Sequence, residues 1–412
     1  MSTVYFLFLK STGMKKLYYL YLLFFASIHL SAQDARIVGY LPHYRFAHLE
    51  DIDFEGMTHL CIAFGNPDMA GNISVGNQDI SEVVATAKSY NNKVLLSLAG
   101  GYLTAEWQMA WEHHMLAENK TNFIHQIMDY VRLYELDGID FDLEWGHVNE
   151  KYSPFVLELR DSLSASSKLL TAALPATYRY PDITDEALYS FDFINMMAYD
   201  LTGPWAPNNP GAHSPYSFAQ SAIDYWIGQG VLAENLTLGL PFYGYDFTDQ
   251  TNVQSFSFRQ MIEEDIAYAE LDQVGQRYYN GRPTIAAKTV LGLEQVSGVM
   301  IWELGQDAFD EYSLLEVVYD VIYASVHTHT IERGIKIKVF PNPVSDIFQI
   351  RNEESEVLNF RIINSQGQVL LNQQISGKSA QVLQISHWAK GFYTIICNDG
   401  NQISSYRFLK VD

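Results

Sequence analysis

The segment Asp137–Glu144, with the sequence DGIDFDLE, constrains the fold of this chain more than any other stretch. Read as a strand over residues 135–145, it places Asp140, Asp142 and Glu144 on one face, because successive side chains of a strand alternate. Three neighbouring carboxylates are costly in an apolar core, since each loses its hydration. The opposite face is apolar and requires a packed layer. The pattern therefore predicts a barrel strand with helices outside and an acidic interior site.

An acidic surface loop or a calcium site is the alternative interpretation of the same residues. Calcium loops need a sharp glycine turn between the ligands and polar surroundings. Here bulky apolar residues separate the acids. The catalytic interpretation is therefore favoured, and neither a metal nor another cofactor is expected.

Apolar segments recur along the region from Arg36 to about Ala324. They are continuous rather than alternating, which is typical of buried parallel strands. Helix-like stretches such as Lys120–Tyr134 and Ser217–Gln229 lie between them, so the sequence predicts an α/β fold, a (β/α)8 TIM barrel, over residues 33–325. The predicted strands are Arg36–Leu41, Thr58–Phe64, Lys93–Ser97, 135–145, Leu169–Leu174, Phe191–Ala198, Leu236–Leu240 and Gly298–Trp302.

The first 32 residues are interpreted as a secretory signal peptide. Lys15 and Lys16 precede the apolar run Leu17–Leu30, which is shorter than a membrane span needs. We expect Met14 to be the true start, because the signal is already complete from that residue. We expect a secreted protein, extracellular or at the cell surface, with no membrane span in the mature chain.

Charge and cysteine content exclude some classes of function. The formal net charge is −22, which argues against nucleic acid as a partner. The two cysteines, Cys61 and Cys397, lie far apart in the sequence and do not form a disulfide framework. We expect both to be unpaired, buried side chains.

The composition changes near His327, and we interpret residues 326–336 as a linker. Residues 337–412 contain short strand-like segments and turns without helical periodicity, which predicts a small all-β sandwich. The segment VFPNPVSD, followed by the turn NSQGQ, resembles the C-terminal sorting domains of the type IX secretion system. The resemblance implies the type IX secretion machinery as a partner. A carbohydrate-binding module is the alternative, but the exposed aromatic platform of such modules is not evident.

The segment DGIDFDLE also resembles the D-G-x-D-x-D-x-E signature of glycoside hydrolase family 18, the chitinase family, and the resemblance extends over roughly residues 36–310. It implies that Glu144 is the general acid, with a pKa raised by burial and by the charge of Asp142. Asp142 would orient and polarise a 2-acetamido group of the substrate. Asp140 would share a proton with Asp142, and Asp137 is as readily structural as catalytic.

Residues 197–200, with the sequence MAYD, match the M-x-Y-D motif of the same family. The resemblance implies that Tyr199 hydrogen-bonds the acetamido oxygen as charge develops there. Met197 would line the wall of the site, and Asp200 would contribute to substrate binding. A Met–Tyr pair packed in the core is the alternative, and the following Asp200 makes it less favoured.

Aromatic residues at strand ends are the remaining candidates for substrate binding. Trp302 matches the tryptophan that ends the last strand of the family and floors the sugar pocket. Tyr40 and Phe64, at the ends of the first two strands, would extend this lining. Tyr243 matches a family motif and is interpreted as structural.

Two departures from the family pattern stand out. The third-strand motif S-x-G-G has Ala99 at its first glycine. If that position needs a positive φ, alanine costs about 1 kcal/mol or more. If only a close approach of the backbone matters, alanine is tolerated. Between Tyr245 and Ser297 little sequence is left for the α+β insertion that deepens the cleft in many members, so we expect a shallower groove.

The family resemblance implies a secreted hydrolase that cleaves chitin or its oligosaccharides by a retaining, substrate-assisted mechanism. An endo-β-N-acetylglucosaminidase acting on N-glycans or peptidoglycan is one alternative. A non-catalytic chitin-binding lectin of the same fold is another, although lectin members typically lose the acid that Glu144 supplies here.

Overall fold

The computed structural model describes residues 35–326, 335–364, 369–398 and 403–411. The predicted signal peptide, with Met14, and most of the predicted linker lie outside these residues. The strands of the first range are β1 (Arg36–Pro42), β2 (His59–Pro67), β3 (Ile73–Ser74), β4 (Lys93–Ala99), β5 (Gly138–Asp142), β6 (Leu169–Pro175), β7 (Phe193–Met197), β8 (Leu236–Pro241), β9 (Tyr243–Asp246), β10 (Gln254–Ser257), β11 (Gln273–Val274), β12 (Arg277–Tyr278) and β13 (Gly298–Trp302).

The helices of the same range are α1 (Ser81–Ser89), α2 (Ala105–His114), α3 (Lys120–Leu133), α4 (Tyr152–Ser164), α5 (Asp185–Leu188), α6 (Tyr216–Gly228), α7 (Phe258–Glu264), α8 (Arg282–Gln295) and α9 (Leu314–Val326). Parallel strands are hydrogen-bonded in the order β1-β13-β8-β7-β6-β5-β4-β2, and β2 pairs back with β1. This closed ring of eight strands confirms the predicted (β/α)8 barrel. Within the described residues, none of the helices has the length and apolar character needed to cross a membrane.

The acidic segment forms a shorter strand than predicted. β5 covers only Gly138–Asp142, because Glu135 adopts a left-handed backbone conformation with φ of 52° just after α3. Glu144 lies beyond the strand but keeps an extended backbone, with φ of −124° and ψ of 168°. The predicted alternation of side chains therefore continues as far as Glu144.

The outward face of β5 packs under the helices. Phe141 lies with its ring centroid 5.5 Å from that of Phe155 in α4 and 5.8 Å from that of Trp111 in α2. All three side chains are buried in the layer between strands and helices. Burial of each large apolar side chain stabilises the fold by about 1.5–3 kcal/mol, so this layer fixes β5 with its acidic face inward.

Two features differ from the sequence prediction. After β1 the chain forms a 3-10 helix, His43–His48, instead of the α-helix of a regular repeat. The segment after β8 contains a compact α+β insertion, in which β10, β9, β12 and β11 form a four-stranded sheet next to α7. The sequence analysis underestimated this insertion, because its strands are only two to four residues long.

The C-terminal region forms two antiparallel sheets, which confirms the predicted all-β domain. One sheet has the order β14-β15-β18 and the other β17-β16-β19-β20, and they enclose a hydrophobic core of their own that includes Phe348, Phe360 and Phe408. Leu409 belongs instead to the apolar cluster of the barrel. The strands are β14 (Ile337–Phe340), β15 (Ile347–Asn352), β16 (Leu358–Asn364), β17 (Val369–Ile375), β18 (Ala380–Gln384), β19 (Gly391–Asn398) and β20 (Ile403–Lys410).

Candidate active site

Asp140 lies at the centre of a buried polar layer inside the barrel. Its Oδ2 accepts hydrogen bonds from the hydroxyl groups of Tyr40 and Ser97, each at 2.7 Å. Its Oδ1 accepts from Thr171 Oγ1 at 2.6 Å and from Asn195 Nδ2 at 3.3 Å. Burial raises the pKa of Asp140, whereas these four donors lower it. With both oxygens satisfied and no exposed surface, Asp140 supports the site from below.

Strand register explains how these residues meet. Ser97 of β4 pairs with Asp140 of β5, and Asp140 pairs with Thr171 of β6. In parallel strands at equal register, the side chains of one level point into the barrel together. The sequence analysis missed Ser97, Thr171 and Asn195. The available signal was their polar character at inward positions of otherwise apolar strands.

Asp142 and Glu144 lie above this layer, toward the carboxyl ends of the strands. Burial raises the pKa of Asp142 well above its ordinary value, and the charges of Glu144 and Asp140 add to the effect. Among the described residues, Asp142 Oδ1 is buried without a hydrogen-bond partner. Such an atom is costly unless something else pairs with it. Asp142 therefore offers a free acceptor to a bound molecule.

The pKa of Glu144 is raised to about 7. Burial is the main cause, and the charge of Asp200 is the second. The sequence analysis expected Asp142 as that second cause. A carboxyl group that keeps its proton near neutral pH can act as a general acid.

A cradle of aromatic side chains holds Asp200. Its Oδ1 accepts hydrogen bonds from the hydroxyls of Tyr243 and Tyr245, the latter at 3.0 Å. His213 Nδ1 lies 3.4 Å from the same oxygen, and the backbone of Asp200 has a φ of 63°. Tyr243, which was interpreted as structural, thus helps to orient a carboxylate that influences Glu144.

Tyr199 presents its hydroxyl to the interior of the site. The nearest described partner is Met300 Sδ at 3.9 Å, which is a weak interaction. Burial and then the charge of Asp142 raise the pKa of Tyr199 well above its ordinary value, so the hydroxyl remains protonated. Tyr199 and Asp142 therefore provide one donor and one acceptor. Met197, which is half-buried, packs in the same interior cluster.

Trp302, the last residue of β13, and Phe64, three residues before the end of β2, form a stacked aromatic pair. Their ring centroids are 5.4 Å apart and their planes differ by 24°. Tyr40 packs edge-on against Trp302 at 5.6 Å. Because Tyr40 is 1% exposed and donates its hydroxyl hydrogen to Asp140, it lies beneath the lining rather than at its surface. The expected substrate-binding role fits Trp302 and Phe64, while Tyr40 is placed to position Asp140.

Ala99, which stands at the first glycine of the S-x-G-G motif, has an unusual backbone conformation. Ala99 has a φ of 91°, a left-handed region that favours glycine. Its carbonyl accepts a 3.0 Å hydrogen bond from Asn66 Nδ2, and Asn66 Oδ1 accepts from Trp111 Nε1 at 2.8 Å. These contacts, together with complete burial, keep the strained backbone in place.

Asp137 has structural contacts. Its Oδ2 accepts a 2.8 Å hydrogen bond from the backbone N–H of Val94 and lies 3.8 Å from Lys88 Nζ. These contacts tie the start of β5 to β4. Among the described residues, no group of His, Cys, Asp or Glu side chains is arranged to hold a metal ion, and both cysteines are buried and free.

Comparison with known proteins agrees with the family resemblance inferred from the sequence. The sequence pattern of the glycosyl hydrolases family 18 matches residues 36–307. The chain belongs to this family. The pattern of the secretion system C-terminal sorting domain matches residues 338–410, which confirms the resemblance seen in the sequence and indicates secretion.

Solved structures of family 18 members are similar to this chain. A family 18 chitinase from the chitin utilization locus of Flavobacterium johnsoniae is 46% identical, with a TM-score of 0.69, covering 70% of this chain and 94% of that one. A chitinase from Bacteroides thetaiotaomicron is 27% identical, with a TM-score of 0.63, covering 73% and 99%.

Among curated relatives, an endochitinase of Manduca sexta is 25% identical over 281 residues, which is 57% of this chain and 50% of that protein. Chitotriosidase-1 of Mus musculus is 28% identical over 252 residues, or 52% and 54% of the two chains. The chain thus spans about half the length of these curated relatives.

The family motifs do not identify every aromatic side chain at the mouth of the barrel. Tyr102, Trp145 and Trp205 follow β4, β5 and β7 and are 81%, 64% and 58% exposed. The sequence analysis did not assign them a role. The signal that could have found them is their position at or beyond the carboxyl ends of predicted strands, where the loops of a barrel carry function.

Proposed function

We propose that this protein is a secreted glycoside hydrolase that cleaves β-1,4-linked N-acetylglucosamine polymers, namely chitin or its oligosaccharides. The observation that carries the proposal is the unpaired, buried Oδ1 of Asp142, in a site where the charge of Asp142 raises the pKa of the buried Tyr199 hydroxyl. An acetamide has one N–H donor and one carbonyl acceptor. Asp142 can accept from the N–H, and Tyr199 can donate to the carbonyl oxygen.

The proposed reaction uses Glu144 as acid and then as base. The acetamido carbonyl oxygen of the substrate attacks C1 while the bond from C1 to the bridging oxygen breaks, and Glu144 donates its proton to that oxygen. Asp142 stabilises the positive charge that develops on the acetamide. Water then attacks C1 while the bond from C1 to the acetamido oxygen breaks and the acetamide is restored; Glu144 takes a proton from the water, and the configuration at C1 is retained.

The state of the other carboxylates supports a nucleophile from the substrate. Both oxygens of Asp140 are occupied by hydrogen-bond donors. Asp200 Oδ1 accepts from two tyrosine hydroxyls. Asp140 is therefore not free to attack C1, and the tyrosine hydroxyls hold Asp200 by one of its oxygens, so we do not expect a covalent glycosyl-enzyme.

The names of the similar proteins favour chitin as substrate. The two solved structures described above are called chitinases, and the two curated relatives are called an endochitinase and a chitotriosidase. Retention of Glu144 favours an enzyme over a lectin. The match to a sorting domain supports export with the type IX machinery as partner.

The deciding experiment follows the first anomer released from chitin oligomers by NMR, with fully deacetylated chitosan and cellulose as comparison polymers. We expect the β-anomer first, no cleavage of either comparison polymer, and competitive inhibition by a thiazoline mimic of the cyclic intermediate. Inversion at C1, or rapid cleavage of chitosan, would overturn the mechanism. Faster cleavage of an intact N-glycoprotein or of peptidoglycan than of chitin oligomers would favour the endo-β-N-acetylglucosaminidase alternative.

A further inference from the structure

Lys288 is a buried cation that the proposed reaction does not use. Its side chain, on α8, is fully buried, and burial lowers its pKa to about 7. The three oxygens to which its Nζ donates belong to Ser214 and Asn280, and all three are neutral. A buried ammonium held by neutral groups is costly, whereas a methionine would fill a similar space at less cost. This cost indicates that Lys288 has a role beyond packing.

The ammonium group of Lys288 has one donor for each acceptor around it. Its Nζ donates to the backbone carbonyl of Ser214 at 2.5 Å, to Ser214 Oγ at 2.6 Å and to Asn280 Oδ1 at 2.7 Å. An ammonium group has three N–H donors and no acceptor. Asn280 Nδ2 donates to the same carbonyl of Ser214 at 3.0 Å. Ser214 is therefore fixed by two side chains, and its hydroxyl keeps its own hydrogen for another acceptor.

That hydroxyl hydrogen ties the Lys288 cluster to the catalytic segment. Ser214 Oγ donates to the backbone carbonyl of Ala198 at 2.6 Å. Ala198 directly precedes Tyr199 and Asp200, and β7 has already ended at Met197. These two site residues therefore lie beyond the strand pairings of β7, and contacts such as the one from Ser214 must set their position.

The residue before Ser214 holds the other end of the same segment. The backbone N–H of Leu201 donates to the carbonyl of His213 at 2.9 Å, and His213 Nδ1 lies 3.4 Å from Asp200 Oδ1. His213 and Ser214 thus contact both ends of residues 198–201. Within that segment Asp200 has a φ of 63°, a conformation that persists only where neighbouring contacts hold it.

We propose that Lys288 is a positioning residue for the reaction: it fixes Ser214, and Ser214 fixes the segment that carries Tyr199 and Asp200. The inference rests on the proposed function. Tyr199 is proposed to donate to the acetamido oxygen, where charge develops in the transition state. Its placement should therefore affect the chemical step more than it affects sugar binding. A misplacement of about 1 Å can reduce a rate by about 10²-fold.

The test uses Lys288→Met, Ser214→Ala and the double variant in the full-length chain. Each single variant should lower kcat for chitotetraose by about 10- to 100-fold. KM should stay within about threefold of the wild type, because sugar contacts such as those at Trp302 are kept. The double variant should lose no more than the larger single loss, since both substitutions break the same link. A thiazoline mimic of the cyclic intermediate should bind less tightly by a factor close to the loss in kcat.

Thr289→Val is the matched control on the same helix. Thr289 is also fully buried, but its Oγ1 donates to the carbonyl of Ile285 at 2.8 Å, within α8. Valine should therefore lower stability and leave kcat unchanged. Turnover of all variants is compared at a temperature at which circular dichroism shows them to be folded.

Each contrary result has a definite meaning. Additive losses in the double variant, a rise in KM with unchanged kcat, or an equal loss of kcat in Thr289→Val would overturn the inference. Normal kinetics of Lys288→Met would overturn it as well. If Lys288→Met does not fold, normal kcat in Ser214→Ala overturns it, because that variant breaks the next step of the link. If the wild-type protein does not cleave chitotetraose, the proposed function fails and this inference fails with it.

Discussion

Asp200 raises the pKa of Glu144, and after burial it is the largest cause of the shift to about 7. The two residues follow different strands, β7 and β5, which are neighbours of the same strand, β6, in the barrel. Hydroxyl groups from the β9 region fix the orientation of Asp200. The acidity of the catalytic group therefore depends on contacts made by three separate segments of the chain.

Asp200→Asn should move the alkaline limb of the pH–rate profile to lower pH. Glu144 must be protonated to act as an acid, so kcat/KM of the wild type should fall above about pH 7. Removing the negative charge of Asp200 makes ionisation of Glu144 easier and lowers its pKa. The measurement is kcat/KM for chitotetraose from pH 4 to 10, with Asp161→Asn on the exposed face of α4 as the charge-matched control. An alkaline limb that stays in place would show that Asp200 does not tune the acid.

Glu144→Gln should lower kcat by roughly 10²–10⁴ or more. Glutamine has nearly the same size and keeps one acceptor, but it cannot donate the proton. Binding of chitin oligomers, measured by isothermal titration calorimetry, should be nearly unchanged. A correctly folded variant with near-normal turnover would remove Glu144 from the role of acid.

The sequence predicted those parts of the site that depend on local pattern. The alternation of acidic and apolar residues in Asp137–Glu144 predicted which face of β5 points into the barrel. The contacts of Ser97, Thr171 and Asn195 with Asp140 could not be assigned from one sequence, because they depend on strand register and on the curvature of the barrel. Strand registers depend on packing around the whole barrel, and the sequence of a single segment does not specify that packing.

The fold, like the site, was predicted from the sequence only where the local pattern is strong. The apolar strand Gly298–Trp302 was predicted to the residue, and the strands that begin at Arg36, Leu169 and Leu236 extend one residue further than predicted. The insertion after β8 was not, since strands of two residues carry no periodicity that distinguishes them from loops. The source of the pKa shift of Glu144 was also missed, because Asp200 is 56 positions away in the sequence (200 minus 144) and approaches only through tertiary structure.

Ala99→Gly should increase the free energy of unfolding by about 1 kcal/mol. The φ of 91° at Ala99 strains a residue with a Cβ, and glycine removes that strain. The gain is reduced by the greater freedom of glycine in the unfolded chain. Chemical denaturation followed by tryptophan fluorescence measures the effect.

Ala110→Gly in α2 is the matched control for that substitution. Ala110 is a buried helical residue, so glycine should destabilise the protein there. A loss of stability at both positions would mean that the conformation at Ala99 is not strained.

Deletion of residues 331–412 should leave a folded and active barrel that is no longer exported across the outer membrane. The C-terminal domain has its own core, and the side chain of Leu409 is one that it contributes to the barrel cluster. Loss of the Leu409 contact should cost about 1.5–3 kcal/mol. The measurements are activity on chitotetraose and the distribution of the protein between cells and medium.

Leu409→Ala in the full-length chain is the control for the deletion, because it weakens the same contact without removing the domain. An inactive, unfolded truncated protein would show that the barrel does not fold without the domain. In that case the proposed boundary at residues 326–336 would be wrong.

Lys288 should make the stability of the barrel depend on pH. Its side chain is fully buried in α8, and its Nζ donates to Ser214 Oγ at 2.6 Å and to Asn280 Oδ1 at 2.7 Å. Burial lowers the pKa of Lys288 to about 7, against about 10.4 in the unfolded chain. Between these values the unfolded state binds the extra proton, so stability rises with pH by up to about 1.4 kcal/mol per unit.

Lys288→Met removes this titration while keeping a side chain of similar length. The free energy of unfolding of the wild type minus that of Lys288→Met should therefore increase from about pH 7 to pH 10, because only the wild type releases a proton on folding. Below about pH 7 the difference should level off, since both states of the wild type then carry the charge. Lys168→Met, at a half-exposed position before β6, should show no such dependence. A difference that stays constant from pH 7 to 10 would mean that Lys288 remains charged in the folded protein, held by Ser214 and Asn280.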